Sequence, residues 1–240
     1  MEHKIELLTG YTDKKEVLQR DVTFGHRVTC GDLMELQGDP RASNATQYND
    51  MIAARMITQF GNLTCPVDIS VLLSLDSIDR EDLQLGGHEF NRKTAGNDSQ
   101  LISEDVVKLA TGMGFKIDDV EYTVVTFGRI TTGQDSADAD ALNLPEVGKD
   151  CFMLGRMITL LETPDKEKSI DGPVDLKTFK GLDGLESLSL LKVGAAAFRS
   201  NFRAERAAIS RKRDGTDGVS ADAGDGNVGT GSDGAATGAA

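Results

Sequence analysis

The chain has 240 residues, is 39% hydrophobic and carries a formal net charge of −13. That size and apolar content support one large cored domain or two modest ones, while the acidic surface disfavours DNA or RNA as the main ligand. There is no Trp and aromatics are 5%, which argues against a base-stacking platform, and no stretch approaches the roughly 18 apolar residues of a membrane span.

The opening "MEHKIELLTGY" has no apolar run fit for a secretory leader, so a cytosolic protein is expected. "IELLTG" (5–10) and "DVTFGHRVT" (21–29) flank the polar "YTDKKE", and their Val, Thr and Phe content predicts a β-hairpin. "TQYNDMIAARMITQF" (46–60) places Met51, Ile52, Arg55, Met56, Gln59 and Phe60 at helical spacing. "PVDISVLLSL" and "DSIDREDLQLGGHEF" (76–90) predict two further helices. Asp76 is read as the cap of the second, with Asp79 favouring its positive end.

From residue 107 the same order returns. "VKLATG" (107–112) faces "IELLTG", and "TFGRITTGQD" (126–135) faces "TFGHRVTCGD" (23–32). "RMIT" stands at 55–58 and at 156–159, and each copy is followed by Pro-Val-Asp, after six extra residues in the second. "GLDGLESLSLLKVGAAAF" (181–198) faces "SLDSIDREDLQLGGHEF" (74–90), with Asp183 and Glu186 in the cap positions. Matches that keep their order, with insertions confined to polar segments, predict a tandem duplication. The expected fold is α+β: two homologous units, 1–95 and 96–203, each a β-hairpin region followed by a small group of helices. In the second unit "GKDCFMLGRMITLL" (148–161) is the matching helix, with Cys151, Phe152, Met153, Met157, Ile158 and Leu161 on one face. "DSADADA" (135–141) replaces the helical "DLMELQGDP" and is read as a solvated loop.

"FRSNFRAERAAISRKR" (198–213) predicts a basic amphipathic helix with six Lys/Arg against one Glu between 199 and 213. Residues 204–240 hold the end of that helix and a Gly/Ala/Asp-rich acidic tail, expected to be disordered from Asp214 because it has almost nothing to bury.

The chemistry-bearing patterns are sparse. His3, His26 and His88 are scattered, and there is no H-E-x-x-H, C-x-x-C or G-x-S-x-G. "TGMGFK" (111–116) lacks the full P-loop pattern and is read, with its twin "TGYTDK", as a hairpin turn. Asp135, Asp138 and Asp140 lack the closing Glu of a calcium loop. Cys30, Cys65 and Cys151 are read as reduced thiols. No enzyme, metal or cofactor is expected.

"HRVTCGDLMEL" and "VLLSLDSIDREDLQLGGHEF" resemble the tail-assembly chaperones of long-tailed bacteriophages. Thr29, Asp32 and Leu33 match the family's T-x-x-D-L helix start; Leu72, Leu75, Asp76, Asp79 and Leu83 match its L-x-x-L-D-x-x-D-x-x-x-L run. The likeness covers most of 20–90 and, by duplication, more weakly 126–198, whereas family members are usually single units. The resemblance implies a protein of the host cytoplasm that binds a helical tape-measure client, and tail-tube subunits with it, without nucleic acid or membrane. A structural virion protein of the tail or baseplate is the alternative. Met51, Met56, Met153 and Met157 are the candidate client contacts, because methionine adapts to varied partners. Arg199, Arg203 and Arg206 on the basic helix are candidate docking residues for an acidic partner.

Overall fold

A computed structural model describes residues 2–94 and 99–216, with the side chains of 94 and 211–216 left out of the description. The chain begins with strands β1 (His3–Thr12) and β2 (Leu18–Phe24), then helices α1 (Cys30–Gln37) and α2 (Ala45–Met56), strand β3 (Ile57–Phe60), and helices α3 (Ile69–Ser74) and α4 (Ser77–Thr94). After the short strands β4 (Gln100–Leu101), β5 (Val106–Lys108), β6 (Phe115–Ile117) and β7 (Val120–Tyr122), the order repeats. Strand β8 (Val124–Phe127) leads into helices α5 (Gly133–Ala141) and α6 (Glu146–Met157), strands β9 (Ile158–Glu162) and β10 (Ser169–Asp171), and helices α7 (Leu176–Lys180) and α8 (Glu186–Thr216). The fold is mixed α+β, with two strand-rich regions each followed by helices.

The two halves agree in detail. In the order β1-β2-β3, strand β3 pairs antiparallel with β2 and the register slips between Thr23 and Phe24; β9 pairs with β8 and slips between Thr126 and Phe127. Gly25 donates to the Met56 carbonyl at 3.1 Å, and Gly128 donates to the Met157 carbonyl at 3.1 Å. Thr58 and Thr159 hydroxyls donate back to the carbonyls of Thr23 and Thr126. The helices α1 and α5 open on the same capping box: Thr29 with Asp32, and Thr132 with Asp135. The Cys65–Pro66 and Gly172–Pro173 peptides are both cis.

Several expectations change. Helical periodicity carried the RMIT helices through Phe60 and Leu161, yet both helices stop at the methionine and the β-branched Ile-Thr continues as sheet. Pairing with β2 or β8 satisfies a backbone that the helix would otherwise have used. "DSADADA" is helical, not a loop: Thr132 caps it, and Asp135 is buried in the capping box rather than turned to water. Gly10 does not make a hairpin turn. It lies inside β1 at a register break, with φ +76°, while its twin Gly112 sits in the β5–β6 connection at φ +85°. Residues 186–198 and 199–213 lie in one continuous helix, α8.

The described residues up to Asn201 form one compact unit, and those from Phe202 to Thr216 belong to a second. The two halves therefore share one core, in which Phe24, Phe60 and Leu72 belong to the same apolar cluster as Phe127, Phe179 and Leu191. Helix α1 joins them. Cys30 donates to the Leu182 carbonyl at 2.8 Å, Gly184 donates to Val28 at 2.8 Å, and the Gln37 side chain accepts from Val147 at 2.9 Å. An ion pair, Arg27 to Asp183 at 3.0 Å, lies across the same seam. The disordered tail was expected from Asp214, but α8 continues through Thr216; the rest of the expected tail falls outside the described residues.

Candidate functional site

The Arg of each RMIT copy and the Pro-Val-Asp that follows it converge in space. In the first half Met51, Arg55, Pro66, Val67, Asp68 and Ile69, with Leu36, Ala54, Asp39 and Arg41, line a cleft of about 310 Å³. In the second half Phe152, Arg156, Pro173, Val174, Asp175 and Leu176, with Leu142, line a cleft of about 190 Å³. Six positions correspond pairwise: Met51 with Phe152, Arg55 with Arg156, and the three residues of Pro-Val-Asp plus the aliphatic residue after them.

Local physics builds each cleft. The long helix supplies one wall, and its terminal strand sends the chain away and back through the cis-proline. Asp68 and Asp175 then cap the short helices α3 and α7, accepting from Ser70 and Thr178 at 2.7 Å. The carboxyl of each lies below the ordinary range, chiefly through those hydrogen bonds from Ser70 and from Thr178. The arginines are anchored differently. Arg55 meets Glu35 at 2.6 Å and Asp32 at 3.9 Å; Arg156 meets Asp135 at 3.8 Å and lies 5.1 Å from the centre of the Phe152 ring.

Each cleft thus combines apolar walls with the RMIT arginine and the capping aspartate at its rim, and the first carries in addition the Asp39–Arg41 ion pair. The volumes stand at or below the lower end of small-molecule sites, about 300–1,000 Å³. They match one or two side chains of a polypeptide. Among the described residues no three His, Cys, Asp or Glu side chains are grouped to hold a metal ion, and no helix is long and apolar enough to cross a membrane.

The methionines expected at a client surface are dispersed. Met51 lines the first cleft at 4% exposure, and Met153 is half-buried on α6. Met56 and Met157 are core residues, because each ends its helix pointing inward beneath the sheet; the Asn91 amide donates to Met56 sulfur at 3.4 Å. Arg199 is exposed on α8. Arg203 and Arg206 are exposed farther along α8, with the Arg206 guanidinium 5.8 Å from the Phe202 ring centre. The sequence reading missed Pro66, Val67, Pro173 and Val174 as site residues, although the repeated Pro-Val-Asp was the signal for them.

No protein-family model, curated protein or solved structure matches the chain.

Proposed function

We propose that the chain is a tandem duplication that holds a helical polypeptide client in two equivalent clefts, acting as a tail-assembly chaperone of the kind its sequence resembles. The observation behind this is the twinned cleft: six corresponding positions stay apolar or keep their charge, although the helices and hairpins around them differ in length. An amphipathic helix places anchors at i, i+3, i+4 and i+7, and short troughs accept such side chains one or two at a time. Two troughs in one chain raise the effective concentration of the second contact once the first is made, without any new chemistry.

In this reading Met51 and Phe152 form the walls that meet the client, and Arg55 and Arg156 select an acidic residue beside its apolar stripe. Met56 and Met157 support those walls from the core. The exposed arginines of α8, Arg199, Arg203 and Arg206, recruit an acidic partner such as an assembling tail-tube subunit. The chain supplies shape and charge rather than catalysis.

The test is co-expression with a helical tape-measure-type protein, followed by purification of finished tails. A chaperone keeps the client soluble and is missing from the particle. Recovery of the chain in stoichiometric amounts from finished particles would favour the structural virion reading instead.

A further inference from the structure

Strand β1 is the outermost strand of its sheet. In the second half the corresponding strand, β5, has an outer neighbour: β4 pairs with it, Leu101 opposite Val107. Val107 is fully buried, whereas Ile5, at the corresponding place on β1, is half-buried. The first sheet lacks a strand that the second has.

The open edge has a definite length. Beyond Leu7 the backbone is already occupied, because the Asp79 carboxylate of α4 accepts the N–H groups of Leu8 at 2.7 Å, Thr9 at 3.1 Å and Gly10 at 2.7 Å. That leaves His3–Leu7, and its midpoint is Ile5. The exposed face of this stretch carries Lys4 and Glu6 on either side of that midpoint. Across β2, Glu6 stands directly opposite Asp21, a like-charge pair, and Lys4 stands opposite Thr23. Among the described residues no cation lies within ion-pair distance of Glu6, and the ion partner of Lys4 is Glu2 on its own strand, at 3.8 Å.

We propose that a second copy of this chain pairs antiparallel with β1, with the two-fold axis at Ile5. This inference is independent of the clefts and of the client. The register places Lys4 opposite Glu6 of the other copy, twice by symmetry, and His3 opposite Leu7. Each Glu6 then gains a cation on the side away from Asp21. The two three-stranded sheets become one of six, and both open β1 edges, which are otherwise templates for adventitious association, are covered by an isologous contact. The charges select this partner and this register, since a shift of one residue would set Lys4 against an apolar side chain and a shift of two would set Lys4 against Lys4 or Glu6 against Glu6.

Sedimentation equilibrium of the full chain over a range of concentrations tests the pairing, with circular dichroism confirming that each variant folds. The wild type is expected to reach twice the 25.7 kDa chain mass. Lys4→Glu and Glu6→Lys each turn two attractive cross-strand pairs repulsive and should weaken the dimer by roughly tenfold or more. The double variant Lys4→Glu/Glu6→Lys restores both pairs and should restore the dimer. A wild type that stays at the single-chain mass at every concentration overturns the proposal. So does a dimer unmoved by Lys4→Glu, or a double variant no better than its parents.

Discussion

Asp79 accepts the backbone N–H of Gly10 at 2.7 Å across 69 residues of sequence. The same carboxylate takes the Leu8 and Thr9 N–H groups and the Thr9 hydroxyl, and it is fully buried. Burial opposes its ionisation, but those donors outweigh burial and hold the carboxyl below the usual carboxylate range. The group that looked like a helix-end charge therefore fastens α4 to the irregular part of β1.

A depressed folded-state pKa stabilises the protein above the unfolded value, near 3.9 for Asp, and that stabilisation is lost as pH falls through the folded value. Asp79→Ala should destabilise the fold by about 3 kcal/mol at pH 7, since it leaves three backbone donors without their acceptor. In urea unfolding followed from pH 7 down to pH 3, the gap between wild type and Asp79→Ala should narrow below pH 4. A gap constant across that range would show that the carboxylate's charge is not what matters.

The three thiols should differ in reactivity. Cys30 is fully buried in contact with Cys151, and its thiol is raised far above the ordinary range, first by the Cys151 sulfur and then by burial. Cys65 is half-buried, and burial raises it modestly. Iodoacetamide applied to the folded protein, with mass spectrometry of the digest, should label Cys65 first. Cys30 and Cys151 should be labelled only with denaturant. Equal labelling of all three in the native state would mean that the α1–α6 seam opens readily.

Gly155 and Ala54 occupy corresponding places on α6 and α2, yet they are not interchangeable. A Cβ on Gly155 would run into the Val174 carbonyl, whose residue is tied to Gly155 by a 3.1 Å hydrogen bond. The extra six residues between β9 and Pro173 accompany this close approach of chain to helix. Gly155→Ala should therefore destabilise by about 1–3 kcal/mol despite improved helix propensity. Thermal unfolding reads this directly; an unchanged or raised midpoint would contradict it.

Arg203→Glu/Arg206→Glu, on the exposed part of α8, should reduce recovery of an acidic partner in pull-downs, most strongly at low salt. Charges at such a surface are screened beyond about 8 Å at physiological ionic strength. Client solubility should be unaffected by the pair. Equal partner recovery at every salt concentration would remove the docking role from these arginines.

Local signals made much of this molecule legible. Thr29 three residues before Asp32 marked the start of α1, and Asp76 and Asp183 marked α4 and α8, because a cap depends on neighbours in sequence. The repeated order of motifs then pointed to two strand-rich regions, each followed by helices. Ile57 and Ile158 were misread because a helical stripe that runs on for a few residues looks the same whether or not a sheet edge stands waiting to pair. Asp135–Ala141 was misread because alternating Asp and Ala look like a loop when the Thr132–Asp135 capping box is overlooked. Asp79 and the floor of each cleft depend on contacts made across tens of residues, which no local pattern records.

Under the proposed function both clefts hold the client at once. Hydrogen–deuterium exchange on the chain co-purified with a helical tape-measure-type fragment tests it most directly. Exchange should slow in 51–56 and 66–69 and, in parallel, in 152–157 and 173–176, relative to the chain alone. Protection confined to other surfaces, with both of these regions unchanged, would contradict it.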